Sequence, residues 1–206
     1  IIISLLPQAF AKNDDIILWF SPSDNLIGVA TASATKAEYI LSFLRKTLGS
    51  LPVVPVQTKT PLRTTMTEWL KEGSCQSEIF NLGGTAELKA ADEESNAIKV
   101  KDQDMTSDEI TAMLNADKVV TSMALQWVED DSGTDFTLTE TFGIKGIKYS
   151  TELLASADSD DTSPSAALDA EFYLLAQTLP RFFNDLITIV GGEQEPKAEE
   201  EEQSND

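Results

Sequence analysis

The clearest hydrophobic pattern lies in residues 35–56, where apolar side chains recur at helical spacing. Thr35 followed by Glu38 three positions later matches a capping box, which predicts the start of the helix. Gly49 predicts its end. The β-branched run at residues 52–56 is bounded by prolines and predicts a short strand. We expect the helix to bury one apolar side against a sheet, formed by Ala37, Ile40, Leu41, Leu44 and Leu48.

Alternating apolar and polar positions predict strands on both sides of this unit. Residues 14–20 and 26–33 flank a turn-rich link and predict a hairpin. Shorter strands are expected at residues 79–82 and 97–101. Two longer strands are expected around the turn at residues 129–133, spanning 119–128 and 136–149.

Helical spacing recurs in the rest of the chain. Residues 61–72 predict a helix that begins at Pro61, ends before Gly73 and buries Met66, Trp69 and Leu70. Thr106 and Glu109 repeat the capping box ahead of a helix that buries Ile110, Met113 and Leu114. Short helices are expected at residues 85–91 and 151–157. Residues 165–190 predict a long apolar helix, which Pro180 should kink or divide and two glycines should end.

These elements predict an α+β protein with mixed or antiparallel sheets, covering helices and a long C-terminal helix. We expect α+β subdomains at residues 1–75 and 76–162, the long helix at 163–192, and a disordered acidic tail at 193–206. The chain opens on three isoleucines rather than Met, so we expect that its natural N-terminal portion is missing. No apolar run is long enough to predict a membrane span.

The net charge of −20 is unevenly distributed. Residues 102–192 carry a net −13, residues 193–206 a net −6, and residues 1–30 a net −2. Residues 31–101 carry a net +1 and hold nine of the 15 basic residues. A strongly acidic chain ordinarily argues against binding nucleic acid, whose phosphates attract Lys and Arg. The basic middle third weakens that argument.

Catalytic patterns are missing from the sequence. The chain has no histidine, which excludes Ser-His-Asp and Cys-His constellations and imidazole metal sites. The single cysteine, Cys75, cannot form an intramolecular disulfide and fits a reducing cytoplasm. Residues 129–135 carry oxygen ligands without EF-hand spacing. We therefore expect no enzyme activity, no metal and no cofactor.

Several segments of the chain resemble the bacterial recombination-associated RdgC family. The resemblance is carried by SLLPQAF at residues 4–10, LRKTLGSLPVVP at 44–55, MTEWLKEGS at 66–74, AELK at 86–89, KDQDMTSDEIT at 101–111 and KVVTSMALQW at 118–127. The segments occur in the family's order and extend over nearly all of residues 4–192.

This resemblance implies a DNA-binding protein located in the cytoplasm, at the nucleoid. Family members bind double-stranded DNA without sequence preference, as two crescent-shaped subunits closed into a ring, and thereby limit access of the recombinase RecA. The motifs place Lys36, Arg45, Lys46, Lys101 and Gln103 on the DNA channel, and we expect Lys59 and Lys99 on the same surface. Phe10 is implied as an apolar contact between the subunits of the homodimer.

Two positions depart from the family pattern, because Gln8 and Asp102 stand where basic residues are expected. The competing interpretation is an acidic protein-interaction module that contacts a recombination protein without touching DNA. The basic residues would then belong to an ordinary solvated surface. The arrangement of the lysines in the fold should discriminate between the two.

Overall fold

The computed structural model describes residues 15–31, 33–90, 97–129, 132–150 and 163–194. The chain divides into two compact units between Val53 and Val54, whereas the sequence predicts the first boundary after residue 75. Phe10, the short helix expected at residues 151–157 and the acidic tail after Gln194 lie outside the described residues.

The first unit contains the predicted hairpin. Strand β1 (Leu18–Ser21) pairs antiparallel with β2 (Leu26–Val29). Within the connecting turn, the Ser21 hydroxyl donates to the Asp24 carboxylate. Asn25 completes the turn with a φ of 53°, in the left-handed region that asparagine tolerates. The hairpin is therefore confirmed.

Helix α1 (Ala34–Leu48) has its cap two residues before the predicted one. Its N-cap is Ser33, whose hydroxyl accepts from the Lys36 backbone N–H at 3.3 Å, so the capping box at Thr35 is wrong. Gly49 ends the helix at a φ of 81°, as predicted. None of the residues of α1 is fully buried. On the apolar side, Ala37, Ile40, Leu41 and Leu44 are half-buried and Leu48 is 61% exposed, so the expected burial is only partial.

Residues 52–56 form no strand. Pro52 and Pro55 lack the N–H groups that a strand needs for pairing, which accounts for the unpaired backbone. The β-branched residues between the two prolines are therefore not sufficient to form a strand.

The second unit is built on a five-stranded antiparallel sheet with strand order β4-β3-β5-β6-β7. Its strands are β3 (Phe80–Ala90), β4 (Ile98–Lys101), β5 (Lys118–Glu129), β6 (Ser132–Thr139) and β7 (Ile144–Tyr149). Together with the helices, this sheet confirms the α+β class.

Two expectations about the sheet were wrong. A short helix is expected at residues 85–91, but residues 85–90 belong to β3, where Ala86 and Leu88 are buried and their neighbours are not, as a strand requires. The single strand expected at residues 136–149 is divided into β6 and β7. Between them, the Gly143 N–H donates to the Thr139 hydroxyl at 2.9 Å and closes a turn.

Three helices pack on one face of the sheet: α2 (Leu62–Glu72), α3 (Asp108–Asn115) and α4 (Pro164–Ile189). They bury the predicted side chains Met66, Trp69, Leu70, Ile110 and Leu114, while Met113 is partly buried. Helix α4 is anchored by Phe182, whose ring meets those of Trp127 and Phe136 at centroid distances of 5.6 and 4.9 Å. These contacts make one face of the sheet the core.

Details of the helix ends differ from the expectation. The N-cap of helix α3 is Ser107, which makes no side-chain capping hydrogen bond. The Thr106 hydroxyl donates to Asp104 Oδ1 at 2.6 Å, so the capping box at Thr106 is wrong. Helix α4 runs without interruption through Pro180, so of the two expected effects, a kink or a division, the division does not occur. After α4, Glu193 bridges to Thr58, which ties the C-terminal end of the helix to the segment before α2.

Candidate nucleic-acid interface

Opposite its three helices, the sheet of the second unit has a face that none of the helices described in this unit covers. Directly paired residues in an antiparallel sheet point to the same side. The pairs Glu87↔Lys99 and Glu87↔Ser122 therefore place these side chains together, on the side away from the buried Leu88 and Val100. We call this side the outer face.

Five lysines lie on the outer face. Lys99 and Lys101 project from edge strand β4, Lys89 from β3, and Lys145 and Lys148 from the opposite edge strand β7. The acidic side chains of its strands are Glu87 and Asp135. Small or polar residues occupy the middle of the face, namely Thr85, Ser122, Ala124, Gln126 and Thr137. The strands thus collect a positive surface on a chain whose net charge is −20.

A bulge brings the two lysines of β7 to the same side. Lys145 pairs with Thr137 and Lys148 with Asp135, so three steps along β7 match two steps along β6. Gly146, with a φ of 60°, lies in the irregular segment. In a regular strand, positions 145 and 148 would point to opposite faces. The bulge therefore doubles the positive charge at this edge.

The lysines of the outer face are not neutralised by neighbouring acids. Within the part of the chain that the structure describes, no ammonium nitrogen of these lysines lies within 4.0 Å of a carboxylate oxygen, so none of them forms an ion pair. Lys99, Lys101, Lys145 and Lys148 are all exposed. By contrast, Arg63 is engaged by Glu140 at 2.6 Å, and Arg181 is paired with Glu129. The cations of the outer face remain available to an anionic ligand.

The loop after β4 extends this surface. Asp102 takes a φ of 52°, and the Gln103 backbone N–H then donates to Gly84 O at 3.2 Å. Gln103 is exposed beside the end of β4. Hydrogen bonds from the Thr106 hydroxyl and the Thr106 backbone N–H lower the pKa of Asp104 below its ordinary value. The loop therefore brings one amide side chain and two carboxylates next to Lys101.

The predicted residues of the first unit are spread around α1. At about 100° per residue, Lys36 and Arg45 lie on opposite sides of the helix. The Arg45 side chain is half-buried, and its Nε donates to Leu51 O at 3.1 Å. Lys46 is exposed and lies closer to the side of Lys36. The three bases thus do not form a single stripe along α1.

Lys59 lies away from the outer face. Its backbone N–H donates to Gly192 O at 3.1 Å, beside the C-terminal end of α4, the helix that packs on the covered face of the sheet. Of the second-unit residues expected to contact DNA, Lys99 and Lys101 therefore share a surface and Lys59 does not. Phe10, the expected subunit contact, lies outside the described residues.

Sequence reasoning missed three lysines of the outer face: Lys89, Lys145 and Lys148. Lys89 was missed because residues 85–91 were expected to be helical. Lys145 and Lys148 lie in residues 102–192, which carry a net charge of −13. The net charge of a long segment does not show that a few of its basic residues share one surface. The alternation of Ala86 and Leu88 with Glu87 and Lys89 was the signal that could have found the first.

Among the described residues, no three or more of His, Cys, Asp and Glu are grouped so as to hold a metal ion. In the same part of the chain, no helix has both the length and the apolar character to cross a bilayer.

Comparison with known proteins gives a consistent result. The family model described as "Putative exonuclease, RdgC" matches residues 1–193. The chain is 44% identical over 194 residues to the recombination-associated protein RdgC of Aeromonas hydrophila, covering 93% of this chain and 62% of that protein. It is 41% identical over 192 residues to the protein of the same name from Tolumonas auensis, with the same two coverages.

A third relative, the recombination-associated protein RdgC of Shewanella loihica, is 40% identical over 190 residues, covering 92% of this chain and 61% of that protein. The chain thus spans about three-fifths of the length of these curated relatives. The match extends over both compact units, and the chain belongs to the RdgC family of recombination-associated proteins.

Proposed function

We propose that this chain binds double-stranded DNA without sequence preference, and that the outer face of its five-stranded sheet holds the phosphates. The observation that carries the proposal is the collection of Lys89, Lys99, Lys101, Lys145 and Lys148 on the outer face, which none of the helices described in the second unit covers. Phosphate contacts supply most of the affinity of non-specific DNA binding, and lysine is the simplest residue to provide them.

The positions of the lysines suit a duplex. Strands β4 and β7 are the two edges of the sheet, four strand spacings apart. At about 4.8 Å per spacing, the path across the sheet from one edge to the other is roughly 19 Å. This exceeds the ~12 Å width of the major groove, so a duplex lying on the sheet can meet lysines with phosphates on both sides of a groove.

The middle of the outer face explains the expected lack of sequence preference. It presents short side chains such as Ser122, Ala124 and Thr137. Sequence is recognised by side chains that reach base edges. Short side chains beneath the phosphates do not reach them.

We further propose that the protein acts as a homodimeric ring around DNA and modulates recombination by limiting access of RecA. Membership of a recombination-associated family supports the role in recombination. Phe10 remains the proposed subunit contact. Lys36, Arg45, Lys46, Lys59 and Gln103 remain proposed contributors to DNA binding, beside the lysines of the outer face.

The proposal assigns binding rather than cleavage. The family description names an exonuclease, whereas the curated relatives are named for recombination. Incubating an end-labelled duplex with the protein in Mg²⁺ or Mn²⁺ should leave the duplex intact over hours. Progressive shortening that co-purifies with the protein would contradict this part of the proposal.

The main test uses paired lysine variants and a salt series. Two double variants remove the two edges of the outer face: Lys99→Gln with Lys101→Gln, and Lys145→Gln with Lys148→Gln. Each should weaken binding to unrelated duplexes equally, and each should reduce the slope of log K against log salt by about 2 per subunit.

The matched control is Lys71→Gln, because Lys71 is an exposed lysine on α2, away from the outer face. It should leave both the affinity and the salt slope unchanged. If the control and the edge variants lose affinity equally, binding depends on overall charge. If neither edge variant weakens binding, the outer face is not the DNA surface. That result would favour the alternative function, an acidic module that contacts a recombination protein without binding DNA.

A further inference from the structure

A pocket of about 230 Å³ opens between the loop before β3 and the C-terminal end of α4. Its lining is apolar at Ile79, Phe80 and Ile189 and polar at Gln76, Asp185 and Thr188. We propose that this pocket binds a lysine side chain of a partner protein. Helix α4 packs on the covered face of the sheet, so a protein bound at this end of the helix leaves the outer face open to DNA.

The apolar part of the pocket suits the stem of a lysine. Ile79 is 40% exposed although it is a large aliphatic residue, and Ile189 is half-buried. Phe80, which is 2% exposed, also contributes to the lining. Lysine buries its four-carbon stem along apolar surface while its ammonium group stays beside polar groups. The pocket offers both environments next to each other.

The Asp185 carboxylate has one oxygen left for a cation. Its Oδ2 accepts from the Trp127 indole N–H at 3.0 Å, which fixes the side chain at the pocket. Among the described residues, no donor is bonded to Oδ1. A lysine ammonium is a compact charge that one oxygen can bind, whereas the guanidinium fork of arginine pairs best with two oxygens. The carboxylate therefore favours lysine.

The surroundings of Asp185 are electrostatically negative. The Thr188 hydroxyl donates to Asn184 O at 2.8 Å, so the Thr188 oxygen is left as an acceptor in the lining. The pocket lies at the C-terminal end of α4, where the helix dipole contributes partial negative charge. No basic residue of the last turn compensates that charge. This charge is complementary to a cation.

The rim of the pocket is held in place at Gln76. This residue takes a φ of 53°, in the left-handed region that few residues other than glycine adopt. Its backbone N–H donates to the Ser74 hydroxyl at 3.0 Å, and its Nε2 donates to Glu72 Oε2 at 2.6 Å. The second bond also brings the Glu72 carboxylate beside the rim. A rim that is already ordered lowers the entropic cost of binding.

Two considerations decide the source of the lysine. The Glu72 carboxylate repels the α-carboxylate of free lysine, so the pocket favours lysine within a polypeptide. In a second copy of the chain, the lysines of the outer face are engaged by DNA, a step that rests on the proposed function. The occupant is therefore another protein.

The test uses Nα-acetyl-lysine methylamide, a probe that presents the side chain as a polypeptide does. Added to protein labelled at its isoleucine methyl groups, the probe should shift the NMR signals of Ile79 and Ile189 in a saturable manner. Nα-acetyl-norleucine methylamide lacks only the ammonium group and should produce no saturable shift. Free lysine should bind more weakly than the capped probe.

Two variants locate the binding. Asp185→Asn keeps an oxygen acceptor for Trp127 and should weaken probe binding about fivefold, the upper range for a partly exposed ion pair. Thr188→Lys places a competing ammonium group one turn from Asp185 and should block the probe. Thr188 is exposed, so the second variant should fold normally, as circular dichroism can verify.

The matched control is Asp169→Asn, the same substitution at an exposed position of α4 about 24 Å away along the helix axis. It should bind the probe as the unmodified protein does. Duplex affinity should be unchanged in Asp185→Asn and reduced in Lys99→Gln with Lys101→Gln. Failure of the DNA proposal is therefore distinguishable from failure of this one.

Several outcomes would overturn the inference. One is probe binding that is equally tight in Asp185→Asn and Asp169→Asn. Equal binding of the norleucine probe would show a purely apolar pocket, and equal or tighter binding of free lysine would assign the pocket to a small molecule. Tighter binding of Nα-acetyl-arginine methylamide would contradict the choice of lysine. A change of oligomeric state in Asp185→Asn would assign the pocket to a second copy of the chain.

Discussion

Glu87 and Lys99 face each other directly across strands β3 and β4, yet they do not form an ion pair. Lys89 lies two positions along the same strand and on the same face, so Glu87 is an acidic group among lysines. Its position suggests that Glu87 moderates the positive potential of the outer face rather than holding one lysine in place.

The first prediction removes this charge. Glu87→Gln should tighten duplex binding by about two- to fivefold at low salt, because phosphates then approach without repulsion from the carboxylate. The gain should shrink as salt screens the interaction. Binding titrations from about 50 to about 300 mM salt measure both effects, because the Debye length falls from about 14 Å to about 6 Å over this range. Glu68→Gln is the control, an exposed acid on α2, and a gain of equal size there would attribute the effect to net charge alone.

The second unit was predictable from sequence where one face of each element is buried. Helical spacing of apolar residues correctly predicted burial in two helices. The predicted residues Met66, Trp69, Leu70, Ile110 and Leu114 are all in the core. Hydrophobic spacing carries this information because burial selects apolar residues at each turn.

The candidate site was less predictable because it depends on register. Lys145 and Lys148 reach one face only through a bulge, whose position is set by pairing with β6 and not by local sequence. Helix α1 shows that clear apolar spacing does not guarantee burial, because none of its residues is fully buried. Spacing predicts which residues share a side, and packing decides whether that side is covered.

The second prediction concerns the attachment of α4 to the sheet. The indole N–H of Trp127, a residue only 2% exposed, donates to Asp185 Oδ2 at 3.0 Å. Asp185→Ala should lower the free energy of unfolding by about 1–3 kcal/mol, because the buried N–H loses its acceptor. Asp185→Asn retains an oxygen acceptor and should cost less. Urea unfolding followed by tryptophan fluorescence measures both, and equal losses would show that the carboxylate charge matters rather than the hydrogen bond.

The third prediction uses two adjacent glycines of β3. A Cβ at Gly83 would lie 2.8 Å from the Ala124 Cβ and 3.1 Å from the backbone of Ala124. A Cβ at Gly84 would meet its nearest neighbour, Gln103 O, at an ordinary 3.5 Å. Gly83→Ala should therefore cost about 1–3 kcal/mol by forcing β3 away from β5, and Gly84→Ala should cost much less.

Thermal unfolding checks this comparison, with about 2–4 °C of Tm expected per kcal/mol for a chain of this size. Ala124→Gly in the Gly83→Ala background removes the closest contact and should recover part of the loss. Equal Tm values for the two single variants would mean that the strands separate without cost at Gly83.

The last prediction concerns the pH dependence that Cys75 confers. The side chain is 3% exposed, and burial raises the pKa of its thiol from 9.0 to about 12. The unfolded chain therefore releases this proton at lower pH than the folded protein does. Between pH 9 and 12 the folded state binds more protons than the unfolded state, so stability falls as pH rises through this window and is unaffected below it.

Cys75→Ala removes the group and should lose less stability over the same range, even though it starts from a somewhat lower value because a buried sulfur is missing. Urea unfolding of both proteins at pH 7, 9 and 10.5 gives the comparison, with other titrating groups cancelling in the difference. The protonated thiol should also resist iodoacetamide at pH 8 until urea unfolds the chain, because the thiolate is the reactive form. A stability difference that stays constant with pH, together with rapid labelling of the folded protein, would show that the thiol is not held protonated by burial.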